Sequence, residues 1–246
     1  MTQIQQTQLP TRPILPCLPS GDTVSAVSSL VVEVRGLRVA YGKVVVLQDV
    51  DLSAAGGEIV AVTGVNGAGK STLLSCLAGL HRPNGGSATV LGGPPRDTVG
   101  FWRRVVLVAE LPTWYPGLTV REHLELVRMT NAPADGWCMD PGDLIEAFGL
   151  TARADAVPLT LSSGQRQRLS LAAALARPSE LLLLDEPEQS LDADFRQELA
   201  RLLRDEYAPN GGTVIMATHD LPFASAAGAR RVQLEDGTVL TAREPS

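Results

Sequence analysis

The sequence predicts an α/β fold: a mostly parallel sheet with helices, an antiparallel β piece at its N-terminal side, and a helical sub-domain inserted midway. Three observations lead there. Short apolar runs of the fully buried strand type recur along the chain: Ile59-Val60-Ala61-Val62, Val105 to Val108, Leu181 to Leu184 and Val214 to Ala217. Helical patterns alternate with them, as a parallel sheet requires. From about Pro112 to Thr160 the apolar residues keep helical spacing (Leu124, Leu126, Val127; Leu144, Ile145, Phe148), with breaks at Pro133, Gly136 and Pro141-Gly142.

Each element has a local reason. Val31 to Val34 and Val44 to Leu52 are β-branched runs around Tyr41-Gly42-Lys43, which predicts an antiparallel pair with a tight connection. Gly56-Gly57 leads into the Ile59 strand. A glycine-rich loop and an apolar helix through Leu73, Leu74 and Leu77 follow, with Gly79 as the stop. Asn84-Gly85-Gly86 reads as a turn before a strand from Ser87 to Leu91. Beyond the helical insertion come a helix (Leu169 to Ala176), the Leu181 strand, a helix (Phe195 to Leu203) and the Val214 strand. A last pair, Arg231 to Leu234 and Val239 to Leu240, turns on Asp236-Gly237.

Composition removes several classes of function. With 44% hydrophobic and 20% charged residues the chain is globular rather than disordered, and 246 residues are ample for one large domain. A net charge of −6 argues against a protein held to nucleic acid by phosphate contacts. No apolar run approaches the roughly 18–20 residues that span a bilayer. The first 29 residues, with Pro10, Pro13, Pro16 and Pro19, lack a secretory pattern and read as a flexible tail. Cys17, Cys76 and Cys138 match no zinc or disulfide spacing, which suits a reducing cytosol.

The chemistry is concentrated in two motifs. Gly64-Val65-Asn66-Gly67-Ala68-Gly69-Lys70-Ser71-Thr72 matches G-x-x-x-x-G-K-[ST] between a predicted strand and a predicted helix, the phosphate-binding loop of a P-loop NTPase core. Its glycines let backbone N–H groups converge on phosphates; Lys70 brings a compact cation to the outer phosphates, and Ser71 a hydroxyl for Mg²⁺. Only Lys43 and Lys70 are lysines among 21 basic residues, so a lysine in this position is unlike the rest of the chain. The second motif is the Leu181 strand ending in Asp185 and Glu186, which places Asp185 to hold Mg²⁺ and Glu186 to orient or deprotonate a water.

Leu161-Ser162-Ser163-Gly164-Gln165, taken alone, is a helix N-cap. Gly164 lies 21 positions before Asp185, and with the two motifs above the chain resembles the ATP-binding cassette (ABC) ATPases, whose loop reads LSGGQ just upstream of paired carboxylates. The resemblance runs from about Leu30 to the C-terminus. It implies one ATPase domain over 30–246, with the helical sub-domain at about 112–160 leading to the LSSGQ loop. It implies ATP and Mg²⁺ as cofactors: adenine on Tyr41, phosphates on Asn66, Gly67, Gly69, Lys70, Ser71 and Thr72, and the γ-phosphate of a second subunit's ATP capped by Ser163, Gly164 and Gln165. Metal ligation would fall to Ser71, Asp185 and Glu110, catalysis to Glu186 and His219, and communication across the dimer to Asp192. For Tyr41 a core position remains an alternative, for His219 a structural one, and for Glu110 plain solvation.

Departures from the family pattern are Val65 for a proline, Ser163 for a glycine, and Glu186-Pro187-Glu188-Gln189-Ser190-Leu191-Asp192 for EPTSGLD. Glu110 stands where the family has glutamine, which adds a third carboxylate and loses an N–H₂ donor. Implied partners are a second ATPase subunit, in a homodimer or heterodimer, and a transmembrane permease received near Trp114 and Tyr115, a pair that ordinary packing also explains; nucleic acid is not among them. The expected place is cytoplasmic, peripheral on the inner face of the cell membrane. Transport is expected over the alternative, a soluble ABC ATPase that remodels a macromolecular complex. The short segment after the last strand pair leans towards export.

Overall fold

The computed structural model describes residues 30–109, 114–115, 117–131 and 138–240. Residues 1–29, Cys17 among them, and Glu110 lie outside these. Strands β1 (Leu30–Tyr41) and β2 (Val44–Ala55) pair antiparallel across the predicted connection, each 12 residues long. They outrun the predicted strands because register shifts carry the ladder past Gly36, which sits at φ +56°. Strand β4 (Gly85–Val90) lies on the other side of β1, in the order β2-β1-β4. Gly85 and Gly86 therefore open a strand rather than form a turn. A Cβ on Gly86 would stand 2.1 Å from the Gly36 oxygen, so the glycines serve a close approach of two backbones. The connection is held by Asn84, whose Oδ1 accepts from the Ala40 N–H.

The second sheet has the order β5-β6-β7-β3-β8-β9. Strands β3 (Ile59–Thr63), β5 (Val105–Val108), β6 (Leu181–Asp185), β7 (Thr213–Thr218) and β8 (Arg230–Glu235) run parallel, and β9 (Thr238–Leu240) turns back antiparallel at the edge. Strands β3 and β7 are buried at every position because both sheet faces are covered. The two-residue period divides their side chains: Val60, Val62, Leu181 and Leu183 join the core shared with the first sheet, whereas Ile59, Ala61, Leu182 and Leu184 join the core under the helices.

The helices are α1 (Lys70–Leu77), α2 (Val99–Trp102), α3 (Val120–Asn131), α4 (Pro141–Ala147), α5 (Ser163–Leu175), α6 (Ala193–Leu202) and α7 (Leu221–Ala226), with a π turn (Leu203–Tyr207) extending α6. The predicted helical insertion contains α3 and α4, whose Val120, Leu124, Leu144 and Ile145, with Phe148 just after α4, pack into the helix-side core. Helix α5 starts six residues ahead of the predicted Leu169. Ser162 and Gln165 form a reciprocal capping box there, so Ser163, Gly164 and Gln165 make its first turn. Helices α2 and α7 are too short to show a period. Among the described residues no helix is long and apolar enough to cross a membrane.

Candidate active site

Parallel register gathers the chemistry at one edge of the sheet. Thr63 at the end of β3 pairs with Thr218 at the end of β7, and Asp185 at the end of β6 pairs with Ala217. Loop 64–69 therefore rises beside Asp185, Glu186 and His219, at the carboxyl ends of strands where open α/β sheets hold ligands.

The loop needs its glycines for two different reasons. Gly69, at φ +101°, is wedged against β2: a Cβ there would stand 2.7 Å from Leu47 Cδ2 and 3.0 Å from the Val46 oxygen. Gly67, at φ +85°, has open space where its Cβ would be, so only its backbone conformation demands glycine. Asn66 and Gly67 are exposed and Thr72 half-buried. Lys70, the first residue of α1, is only 6% exposed. Its ammonium donates to the Gly64 oxygen at 2.9 Å and the Val65 oxygen at 3.2 Å, and lies 3.5 Å from Glu186 Oε1. Next to it, Ser71 Oγ donates to Asp185 Oδ1 at 3.0 Å. Two hard oxygen donors side by side below a phosphate loop fit a Mg²⁺ ion.

Glu186 adopts φ +48°, uncommon for a residue with a side chain, while its N–H stays bonded to the Ala217 oxygen at 2.9 Å. That left-handed turn lifts its carboxylate off the strand end. Glu186 Oε2 meets His219 Nδ1 at 2.5 Å, so one carboxylate touches both Lys70 and His219. The His219 side chain is 59% exposed against 16% for Glu186, an open face on a covered base. His219 is thus not a core residue. Tyr41 is not one either: it is 52% exposed, its ring 5.0 Å from that of His81.

The remaining predicted residues form a separate group. Gly164 packs closely on the loop before α6, and a Cβ on it would stand 2.7 Å from the Ser190 oxygen. Asp192 caps α6 by accepting from the Phe195 N–H at 2.9 Å and is paired with Arg168; these contacts hold its carboxyl below the usual range, the Phe195 N–H contributing most. Arg168 also lies over the Phe195 ring, 4.2 Å from its centre. Among the described residues no hydrogen bond joins Ser163, Gly164 or Gln165 to loop 64–72. Trp114 packs against the helix-side core and, with Tyr115, against the His123 ring. His123 is buried, which pushes its imidazole below its ordinary value.

Sequence reasoning missed Glu188. It is 2% exposed and lies directly behind the Glu186–His219 pair; potential ligand atoms of the three side chains fall within 4.8 Å of one another. Glu188 Oε1 accepts from the Thr218 hydroxyl, and Oε2 has no hydrogen-bond partner. Burial raises its carboxyl above the ordinary range, the Thr218 bond opposing this and the Glu186 charge adding to it. The signal was present as a departure, a glutamate where the pattern has threonine, but its burial was not legible.

Comparison with known proteins identifies the family. Residues 47–189 match the ABC transporter family model. The chain is 41% identical over 218 residues to the aliphatic sulfonates import ATP-binding protein SsuB of Mycobacterium sp. (strain MCS), covering 86% of this chain and 82% of that one. It is 38% identical over 206 residues to the SsuB protein of Pseudomonas fluorescens (strain Pf0-1), covering 84% and 74%. Among solved structures, an ATP-binding subunit of an ABC transporter superposes with a TM-score of 0.74 at 30% identity, over 85% and 88% of the two chains. A dimeric ATP-binding cassette in a post-hydrolysis state, bound to ADP and Pi, superposes with a TM-score of 0.71 at 26% identity, over 85% and 96%. With the phosphate loop, the strand-end carboxylates and these relatives in agreement, the chain belongs to the ABC transporter family as its ATP-hydrolysing subunit.

Proposed function

We propose that this ATPase energises an importer, and that its site works as an ATP sandwich between two cassettes. The observation that carries import is the 41% identity, over 86% of the chain, to a protein named for aliphatic sulfonate import. That relationship outweighs the lean towards export taken from the short C-terminal segment. Small organic sulfonates are accordingly the first solutes to test.

The residues divide the work as follows. Backbone N–H groups of loop 64–69 and the Lys70 ammonium hold the β- and γ-phosphates, and Lys70 exchanges its loop oxygens for phosphate oxygens. Ser71 and Asp185 would hold Mg²⁺, which when bound would supply charge neutralisation at the phosphates. Glu186 accepts a proton from the attacking water, and His219, bonded to that carboxylate, orients it and contacts the γ-phosphate. Tyr41 stacks on the adenine. Ser163, Gly164 and Gln165 are not joined to their own chain's phosphate loop, which suits a role on the γ-phosphate of a partner's ATP. A dimeric cassette bound to ADP and Pi among the structural relatives supports the same arrangement.

The permease would dock in the groove between the end of β5, α3 and α5. A cavity of about 320 Å³ lies there, lined by Trp114, Tyr115, His123, Ala173 and Arg177 among others. It offers an aromatic rim to an inserted helix. Such docking places the chain on the cytoplasmic face of the membrane.

The test is affinity capture of the tagged chain from detergent-solubilised native membranes, with and without ATP. Stoichiometric recovery of a multi-span membrane protein is expected, and uptake of a labelled alkanesulfonate by vesicles carrying the recovered complex would support import. Recovery of ribosomal or DNA-associated partners alone would overturn this reading in favour of a soluble remodelling ATPase.

A further inference from the structure

The Glu186–His219 pair is built from two loops that leave adjacent strands, and a second connection lies behind it. Glu188 follows Glu186 by two residues and turns inward. Its Oε1 accepts from the Thr218 hydroxyl. The same Thr218 oxygen accepts from the Asp220 N–H at 2.9 Å. Asp220 in turn caps α7 through the Phe223 N–H at 2.9 Å and pairs with Arg196 at 2.9 Å. His219 is thus flanked by two fixed residues, Thr218 and Asp220, both reached from Glu188 through one hydroxyl. On the Glu186 side, the turn is fastened by Gln189 N–H to the Glu186 oxygen at 3.0 Å and by Gln167 Nε2 to the Pro187 oxygen at 3.1 Å.

Glu188 makes this tie at a cost. A buried polar oxygen without a partner destabilises a protein, and Glu188 Oε2 has none. Threonine, usual at this point of the family pattern, carries no carboxylate and has a shorter side chain. We infer that Glu188 is a positioning residue for hydrolysis: through the Thr218 hydroxyl it locks the segment carrying His219 to the segment carrying Glu186, and so sets their mutual geometry. Buried as it is, at 2% exposure, it acts through its neighbours. The inference rests on the roles proposed above for Glu186 and His219.

The test measures kcat and KM for ATP in purified full-length E188L, E188Q, T218V, E188L/T218V and E186Q. Leucine removes the acceptor with a somewhat larger apolar side chain; glutamine keeps both the size and an acceptor for Thr218. A misplaced catalytic group costs roughly 10- to 100-fold. The expected result is a kcat about 10-fold or more lower in E188L and in T218V, with KM within about twofold, and recovery to within about threefold in E188Q. The double variant should be no slower than the slower single one, because both remove the same bond. A wild-type kcat in E188L beside an inactive E186Q overturns the positioning role alone, as does E188Q no better than E188L. A wild-type kcat in E186Q removes the underlying assignment instead. If E188L does not fold, T218V makes the same test from the other side of the bond: unchanged kcat there overturns the proposal.

Discussion

Replacing Gly164 by alanine tests how tightly the first turn of α5 is packed against the loop before α6. Alanine is compatible with the helical backbone and stabilises a helix over glycine by about 0.5–1 kcal/mol. Against that gain, the new Cβ would stand 2.7 Å from the Ser190 carbonyl oxygen. The obstacle is backbone, held at φ +61° between Glu186 and the Asp192 cap, so it does not swing aside like a side-chain tip. Overpacking of this kind costs about 1–3 kcal/mol. The net expectation is a loss of up to about 2.5 kcal/mol, or a melting temperature lower by about 2.5–5 °C at the middle of that range. Denaturant unfolding of Gly164→Ala and wild type without nucleotide, at equal m-value, reads the difference. Ser163→Ala, an exposed neighbour in the same turn, should change stability by no more than about 0.5 kcal/mol. A Gly164→Ala protein as stable as wild type would show that the contact with Ser190 is not tight, and the reasoning would fail.

Four further outcomes are expected. Tyr41→Ala should raise KM for ATP about fivefold or more, with kcat little changed, since base stacking is worth about 1 kcal/mol or more; an unchanged KM would place adenine elsewhere. Asp185→Asn should raise the Mg²⁺ concentration for half-maximal ATPase activity, because Ser71 loses its charged oxygen neighbour; Glu110→Gln should also displace this titration, and superimposable curves for wild type and Glu110→Gln would remove that glutamate from the metal site. Glu188→Gln should be stabilising relative to wild type in a pH-dependent way. The folded Glu188 carboxyl is raised, so from the ordinary carboxylate range upward the native state retains a proton that the unfolded state has released. Wild-type stability from this group is therefore complete in acid and falls as pH rises through the raised value. Denaturation midpoints between pH 4 and 8 should show Glu188→Gln gaining on wild type as pH rises; the opposite trend would refute the assignment.

Much of this was legible because the chemistry is contiguous in sequence. Gly64 to Thr72 carries its loop, its cation and its hydroxyl in nine consecutive residues, and the Ile59 strand before it is apolar at four consecutive positions. Asp185 and Glu186 were legible because a run of four leucines ends in them. The early start of α5 was harder: the capping pair Ser162 and Gln165 was present, but Gln165, Arg166, Gln167 and Arg168 hide the period of an apolar face. These polar residues are half-buried because Gln167 reaches the Pro187 oxygen and Arg168 reaches Asp192, both beyond the helix. Helices α2 and α7, of four and six residues, fall below the length at which periodicity exists.

Glu188 shows where pattern reading stops for a physical reason. A glutamate in an acidic loop is ordinarily solvated, and no neighbour in sequence says otherwise. Its burial depends on Thr218, 30 residues away, which parallel pairing of β6 with β7 brings alongside. The same pairing brings His219 to Glu186. One strand register therefore determines both the Glu186–His219 pair and the buried bond behind it. A change that disturbs the β6–β7 register should consequently move both together, whereas removal of the Glu188 acceptor should loosen the pair while leaving the register intact.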